Sequence, residues 1–351
     1  KRQVMPKASI VTANGADFIM VRASFTMLKS RIRVVSVCAV RTGCGICETS
    51  REVLRLLQQL GKRAVAVRHP MPYGDLTRQV VQRFASYADL DAGGCTIEER
   101  EEYEPVVAMG AVIYAGIDYE KILRQAEEEA DVIVWDGGNN DTPFYLPEVA
   151  IVVFDPHRAG HETAYHPGET NMLMADIAVI NKVDSADPAA VAALRRTIAA
   201  HNPKADIVLA DSALLVDAPE RIRGRRVLVV EDGPTVTHGD MPFGAGVIAA
   251  RRFGARALVD PRPHLVGSLQ ETFAAYPRIG ALLPAMGYGE GQVRDLEATI
   301  NTTPCDLVLS ATPVDLTRLM TIAKPVVHIR YSYQDHDPAT LKKALLRRLK
   351  V

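Results

Sequence analysis

Short, unbroken apolar runs recur along the chain, and between them apolar positions return with helical spacing. Val34–Val40, Arg63–Val67, Val132–Trp135, Ile151–Phe154, Ile177–Ile180, Ile207–Leu209 and Val227–Val230 form the runs, rich in Val and Ile. A run with no polar face marks a strand covered on both sides, which predicts an α/β fold with a mostly parallel sheet. Helical patterns occupy Glu48–Leu60, Tyr119–Ala130 and Pro188–Ala200, and Gly61 closes the first as a C-terminal cap. Further strands are predicted at Ala257–Asp260, Asp306–Ser310 and Val326–Ile329, and Pro338–Val351 reads as a basic amphipathic helix. The start is different. Val4–Ala8 ends a helix that Gly15 breaks, and Phe18–Val21 reads as a short strand. A helix and one strand do not close a core, so residues 1–32 read as the remnant of a preceding α/β domain.

Composition narrows the class. A chain of 351 residues suits about two domains. Hydrophobic residues at 48%, charged residues at 24% and a net charge of -1 describe an ordinary globular protein. Near-neutral charge leaves no electrostatic footprint for nucleic acid, and no apolar run reaches the length of a membrane span. Five cysteines without a secretory signal predict a reduced, cytoplasmic setting.

The chemistry concentrates where a strand turns into a helix. Arg41, Thr42, Gly43, Cys44, Gly45, Ile46 and Cys47 join the run ending at Val40 to the helix beginning at Glu48. Closely spaced glycines there aim backbone N–H groups at one point, and the helix dipole adds positive potential, which suits a phosphate. The strict P-loop is not matched: Ile46 stands at its lysine position and Cys47 at its Ser/Thr position. Asp136 ends a buried run before Gly137-Gly138, the form of a Walker-B strand whose carboxylate holds Mg²⁺. Asn181-Lys182-Val183-Asp184 follows another strand as N-K-x-D, the guanine-reading pattern of GTPases, and Ser212 sits where a base-contacting Ser-Ala loop is expected. Arg68 and His69 end one strand; His157 and Arg158 end another, with His161 close behind. These are candidate cations for an anionic substrate, with solvated surface charge as the plainer alternative. The acidic run Glu98–Glu104 reads first as a solvated helix face. Cys44-Gly-Ile-Cys47 also permits a redox or metal reading, because a helix N-terminus lowers thiol pKa.

Taken together, these motifs resemble the cyclic 2,3-diphosphoglycerate synthetase and predicted-GTPase family of P-loop proteins. The resemblance rests on Ser36–Gly45, Val67–Asp75, Cys95–Pro105, Trp135–Asp141, Asp155–Arg158, Pro167–Asn171, Asn181–Asp184, Val230–Thr235 and Leu283–Gly289. It implies a P-loop nucleotide-binding domain over 33–220, a C-terminal α/β region over 221–351 and a homodimer. It also implies ATP or GTP with Mg²⁺ on Asp136, and a small phosphorylated acid held by Arg68, His69, His157, Arg158 and His161. Asp136, Arg68 and His69 stand as its catalytic candidates. In that family Gly-Lys-Ser closes the turn. Gly45-Ile46-Cys47 here leaves open a weakened or silent homologue, a GTP-binding regulator or chaperone, or a substitute cation.

Overall fold

A computed structural model describes residues 4–69, 71, 75–138, 141–237, 242–287 and 289–350. Among the motif residues above, Pro70, Pro72–Gly74, Asn139–Asn140 and Tyr288 lie outside the described residues, as do Val351 and the side chains of Pro234 and Thr235. The chain forms two compact units, interleaved in sequence. The first comprises Lys1–Pro70, Tyr114–Ser212 and Tyr333–Val351; the second comprises Met71–Ile113 and Ala213–Ser332.

In the first unit the predicted runs become parallel strands. In spatial order they are Asp206–Val216, Ile177–Ile180, Val149–Phe154, Arg33–Ala39, Val132–Asp136 and Ala64–Arg68. The four strands Ala64–Arg68, Val132–Asp136, Val149–Phe154 and Ile177–Ile180 are buried at every position, as their lack of a polar face requires. Helix Ile46–Gln59 buries Val53, Leu54, Leu56 and Leu57, and Gly61 leaves it at φ +71°. Asp118 caps Tyr119–Glu129 through Lys121 N, and Asp187 caps Pro188–His201 through Ala189 N. The terminal helix Thr340–Leu349 buries Leu341, Ala344, Leu345 and Leu349 and turns its basic residues outward. Strand Arg33–Ala39 lies between Val132–Asp136 and Val149–Phe154. From it the chain first goes to Ala64–Arg68 on one side and later to Val149–Phe154 on the other. The turn after Ala39 therefore opens at a topological switch point, where parallel sheets leave a crevice.

The second unit is also parallel: Ala257–Leu258, Arg226–Asp232, Leu307–Ala311 and Val326–Asp335 in order, with Leu283–Ala285 beside the end of Arg226–Asp232. Alternate residues feed two cores. Val227, Val229, Leu307 and Leu309 enter one; Leu228, Val230 and Val308 enter the other, with Ile97, Leu296 and Ile300.

Three expectations fail. Phe18–Val21 is no strand; it follows helix Val4–Ala13 as irregular chain, with Ile19, Met20 and Val21 more than half exposed. Apolar character alone does not make a strand without a neighbour to pair with. Asp211–Ala213 is no loop either, because the expected three-residue strand runs on as Asp206–Val216 with Val208, Ala210 and Ser212 turned inward. Finally, the acidic run lies on helix Ile97–Ala108, and Glu98, Glu99, Glu101 and Glu104 are all at most 5% exposed. Among the described residues no helix is long and apolar enough to cross a membrane.

Candidate nucleotide site

The turn Val40–Gly45 is shaped by glycine. Gly43 and Gly45 take φ +76° and +104°, in the left-handed region that side chains avoid. A Cβ on Gly45 would come 2.2 Å from Asn181 Nδ2, so this position also needs the missing side chain. Helix Ile46–Gln59 begins without a side-chain cap. Its first N–H groups have no acceptor inside the helix, and the dipole points its positive end outward.

Residues from two other strand ends converge on this turn. Asn181 Nδ2 donates to Cys44 O at 3.0 Å, and Lys182 Nζ donates to Gly43 O at 2.6 Å. Lys182 reaches it from a left-handed backbone, φ 59°, a conformation that costs a non-glycine residue about 1–2 kcal/mol. The N-K-x-D segment thus fastens the phosphate turn. Asp155, which ends the neighbouring strand, accepts from Lys182 Nζ at 3.2 Å and Arg158 Nη2 at 3.0 Å. Burial pushes the Asp155 carboxyl up, but Lys182 and Arg158 outweigh it and hold it below the ordinary aspartate value. Arg41 stacks on Tyr165 at 4.2 Å, and His161 lies in the same recess. Burial, then Arg41 and Arg158, lower the His161 pKa, so it stands as a neutral imidazole among cations. Arg41, Arg158 and Lys182 surround a turn that has no P-loop lysine of its own.

Asp136 forms a second cluster. Ser50 Oγ donates to its Oδ1 at 2.6 Å, and Arg68 Nη1 pairs with its Oδ2 at 3.1 Å. The pair is buried, and Tyr119 Oη donates to Arg68 O at 2.8 Å. His69 N donates to Asp136 O at 3.2 Å, and His69 Nδ1 lies 3.4 Å from Asp141 Oδ2. Cys47 Sγ comes within 4.8 Å of an Asp136 oxygen, the place a P-loop hydroxyl would take. Both Asp136 oxygens already accept hydrogen bonds, so a Mg²⁺ ion there would take further hard oxygens from a nucleotide and water.

The remaining candidates separate. Asp184 Oδ1 accepts from Ser212 N at 3.1 Å, while Ser212 Oγ donates to Glu48 Oε2 at 3.0 Å. His157 Nε2 sits 3.1 Å from Ser185 Oγ on the exposed surface. The redox reading of Cys44 and Cys47 loses its basis. Cys44 is fully buried, which raises its pKa to about 11 against the lowering pull of Arg158, so its thiolate is scarce. Sequence reasoning passed over Asp155, Ser50 and Glu48. Asp155 was legible as a carboxylate directly after a buried run, the same signal that picked out Asp136.

No family model matches the chain. A search of curated proteins finds arginine synthetase ArcE of Thermococcus kodakarensis, 56% identical over 342 residues, covering 97% of this chain and 76% of that protein. The chain belongs to the ArcE family. Among solved structures, LpxK from Aquifex aeolicus in complex with ATP matches with TM-score 0.56 at 13% identity, covering 99% of this chain and 98% of that one. That likeness shows a shared fold. The hydrogenase maturation factor HypB of Archaeoglobus fulgidus aligns more loosely, with TM-score 0.32 over 51% of this chain and 81% of its own. Of what the resemblance to cyclic 2,3-diphosphoglycerate synthetases implies, the mostly parallel α/β fold is shared with the LpxK structure.

Proposed function

We propose that the chain is an ATP-dependent arginine synthetase with Arg41–Cys47 as its phosphate-binding turn. What carries this reading is Lys182. Its ammonium, 2.6 Å from Gly43 O, supplies from the N-K-x-D segment the cation that Ile46 fails to supply. The family relationship names the product.

Replacing the oxygen of a ureido carbon by nitrogen gives a guanidine, a dehydration that water opposes. Phosphorylating that oxygen makes it a leaving group. An amine nitrogen then takes its place, giving arginine, a nucleoside diphosphate and phosphate. Backbone N–H groups of Thr42–Cys47 hold the phosphates, and Arg41, Arg158 and Lys182 balance their charge. Arg68 keeps Asp136 in place and is itself neutralised by it, which argues against Arg68 as a substrate anchor. Mg²⁺, if it arrived with the nucleotide, would find its oxygen ligands on phosphate and water near Asp136. ATP is favoured over GTP because Asp184, which would read guanine, already accepts a hydrogen bond from Ser212 N.

The test is product formation. The chain is incubated with ATP or GTP, ammonia and a ureido amino acid, and arginine is measured by mass. Arginine formed with ATP supports the reading. Its absence, or cyclisation of 2,3-diphosphoglycerate in a parallel reaction, overturns it.

A further inference from the structure

The second unit has a crevice of its own. From strand Arg226–Asp232 the chain goes to Ala257–Leu258 on one side and later to Leu307–Ala311 on the other. The strand connections reverse there, so space opens beyond the C-terminal ends of these two strands. Asp232 follows Leu228 and Val230 on one face of the sheet, and Ser310 follows Val308 on the same face. That face packs with Ile97, at the start of the acidic helix Ile97–Ala108. Glu101 Oε1 accepts from Thr312 Oγ1 at 2.7 Å, and Glu98 Oε1 accepts from Gly287 N at 3.3 Å.

Several buried polar atoms are left over among the described residues. Glu98 Oε2 and Ser310 Oγ are buried and have no hydrogen-bond partner, on side chains that are 2% and 0% exposed. Groups of this kind normally find a partner, and an orphaned buried carboxylate oxygen is costly. Among the described residues no cation pairs with Glu98 or Glu101. The charges acting most on Glu101 are Asp232, Glu98 and Glu102, all negative, and with burial they hold its carboxyl well above the ordinary value. Glu231 is different: three backbone N–H groups, of Gly244, Gly246 and Val247, fill it at 3.0–3.2 Å.

We propose that Glu98, Glu101, Asp232, Ser310 and Thr312 form a buried subsite for a small organic cation, a guanidinium group. No three of these carboxylates bring an oxygen each within 4.8 Å of one another, so they do not close around a single metal ion. A guanidinium is wide, planar and rich in donors, and it spans separated acceptors. That the cation is arginine's own guanidinium rests on the synthetase reading; the cation subsite does not.

The test is calorimetric titration of the full chain with arginine and with methylguanidinium, for wild type, Glu98→Gln and Ser310→Ala, with ATP as a control ligand. The expected result is binding to wild type, at least a tenfold loss in Glu98→Gln, a loss of about threefold in Ser310→Ala, and unchanged ATP binding. Melting curves show whether Glu98→Gln is folded; if it is not, Ser310→Ala decides. Methylguanidinium binding that depends on Glu98, without arginine binding, sustains the subsite and sinks the synthetase reading. Arginine binding indifferent to both substitutions does the reverse. No binding of either cation, or displacement of the bound cation by Mn²⁺ alone, overturns the subsite.

Discussion

The two units end their parallel sheets in the same way, with a switch point and polar side chains at the C-terminal edge, yet they balance charge in opposite ways. In the first unit the buried carboxylates that end the strands beside the turn have cations: Asp136 has Arg68, and Asp155 has Lys182 and Arg158. Cations in excess of these pairs, such as Arg41, surround the turn. Among the described residues of the second unit, Glu98 and Glu101 have neutral donors, including Gly287 N and Thr312 Oγ1. On the two proposals made above, one edge would receive an anion and the other a cation. Topology gives the crevice, and side-chain charge decides what fits it.

The sharpest way to break this comparison is to remove one charge from each edge. Arg68→Met leaves Asp136 buried with an uncompensated charge, which should cost about 3–5 kcal/mol in denaturant unfolding. Glu98→Gln removes a charge that has no partner. It should leave stability unchanged or raise it, since a costly uncompensated charge is lost and the amide oxygen still accepts from Gly287 N. Equal losses in the two variants would mean that Glu98 has a cation after all, and the contrast would fall.

Glu231 gives the next largest effect. Burial, against the pull of three backbone donors, raises its pKa from the ordinary 4.5 to about 7. The folded state therefore binds this proton more tightly than the unfolded chain does. The stabilisation is complete below pH 4.5 and is lost as pH rises through 7, a difference of roughly 3 kcal/mol at 1.36 kcal/mol per pKa unit. Unfolding at pH 5 and pH 8 measures it. Glu231→Gln should flatten that slope, and a variant with the wild-type slope would place the titration elsewhere.

Much of this was legible in the sequence, and the failures share a cause. Val132–Asp136 and Ile177–Ile180 are strands because nothing polar interrupts them, and the glycines of the phosphate turn follow from its backbone. Asn181 and Lys182, picked out as part of N-K-x-D, hydrogen-bond Cys44 O and Gly43 O of the turn. What escaped is what long-range neighbours decide. Glu98–Glu104 has the composition of a solvated face, but its donors come from Gly287, Thr312 and Asp315, about two hundred residues away. Arg68 looked like a free cation because its partner Asp136 is also distant in sequence. Phe18–Val21 failed the opposite way: its pattern was right, and no neighbour came.

Gly45→Ala tests the turn itself. The new Cβ would sit in a left-handed residue and push Asn181 off Cys44 O, a cost of about 2 kcal/mol from strain and one lost hydrogen bond. ATP affinity should fall at least tenfold by calorimetry, while arginine binding at the second unit's edge should not change. A parallel loss of both would mean that the two edges do not work independently.

The smallest effect bears most on the missing P-loop lysine. If Lys182 and Arg158 already balance the phosphates, then Ile46→Lys with Cys47→Ser adds a cation where charge is nearly satisfied, and a hydroxyl beside Asp136. ATP affinity should rise by only about threefold, ~0.6 kcal/mol. A rise of thirtyfold or more would show a site that is short of positive charge, and the role given to Lys182 would then be structural. A fall in affinity would mean that the new lysine competes with Lys182 for Gly43 O and loosens the turn. In either case the cations around the turn would not be the substitute for the P-loop lysine that their distances suggest.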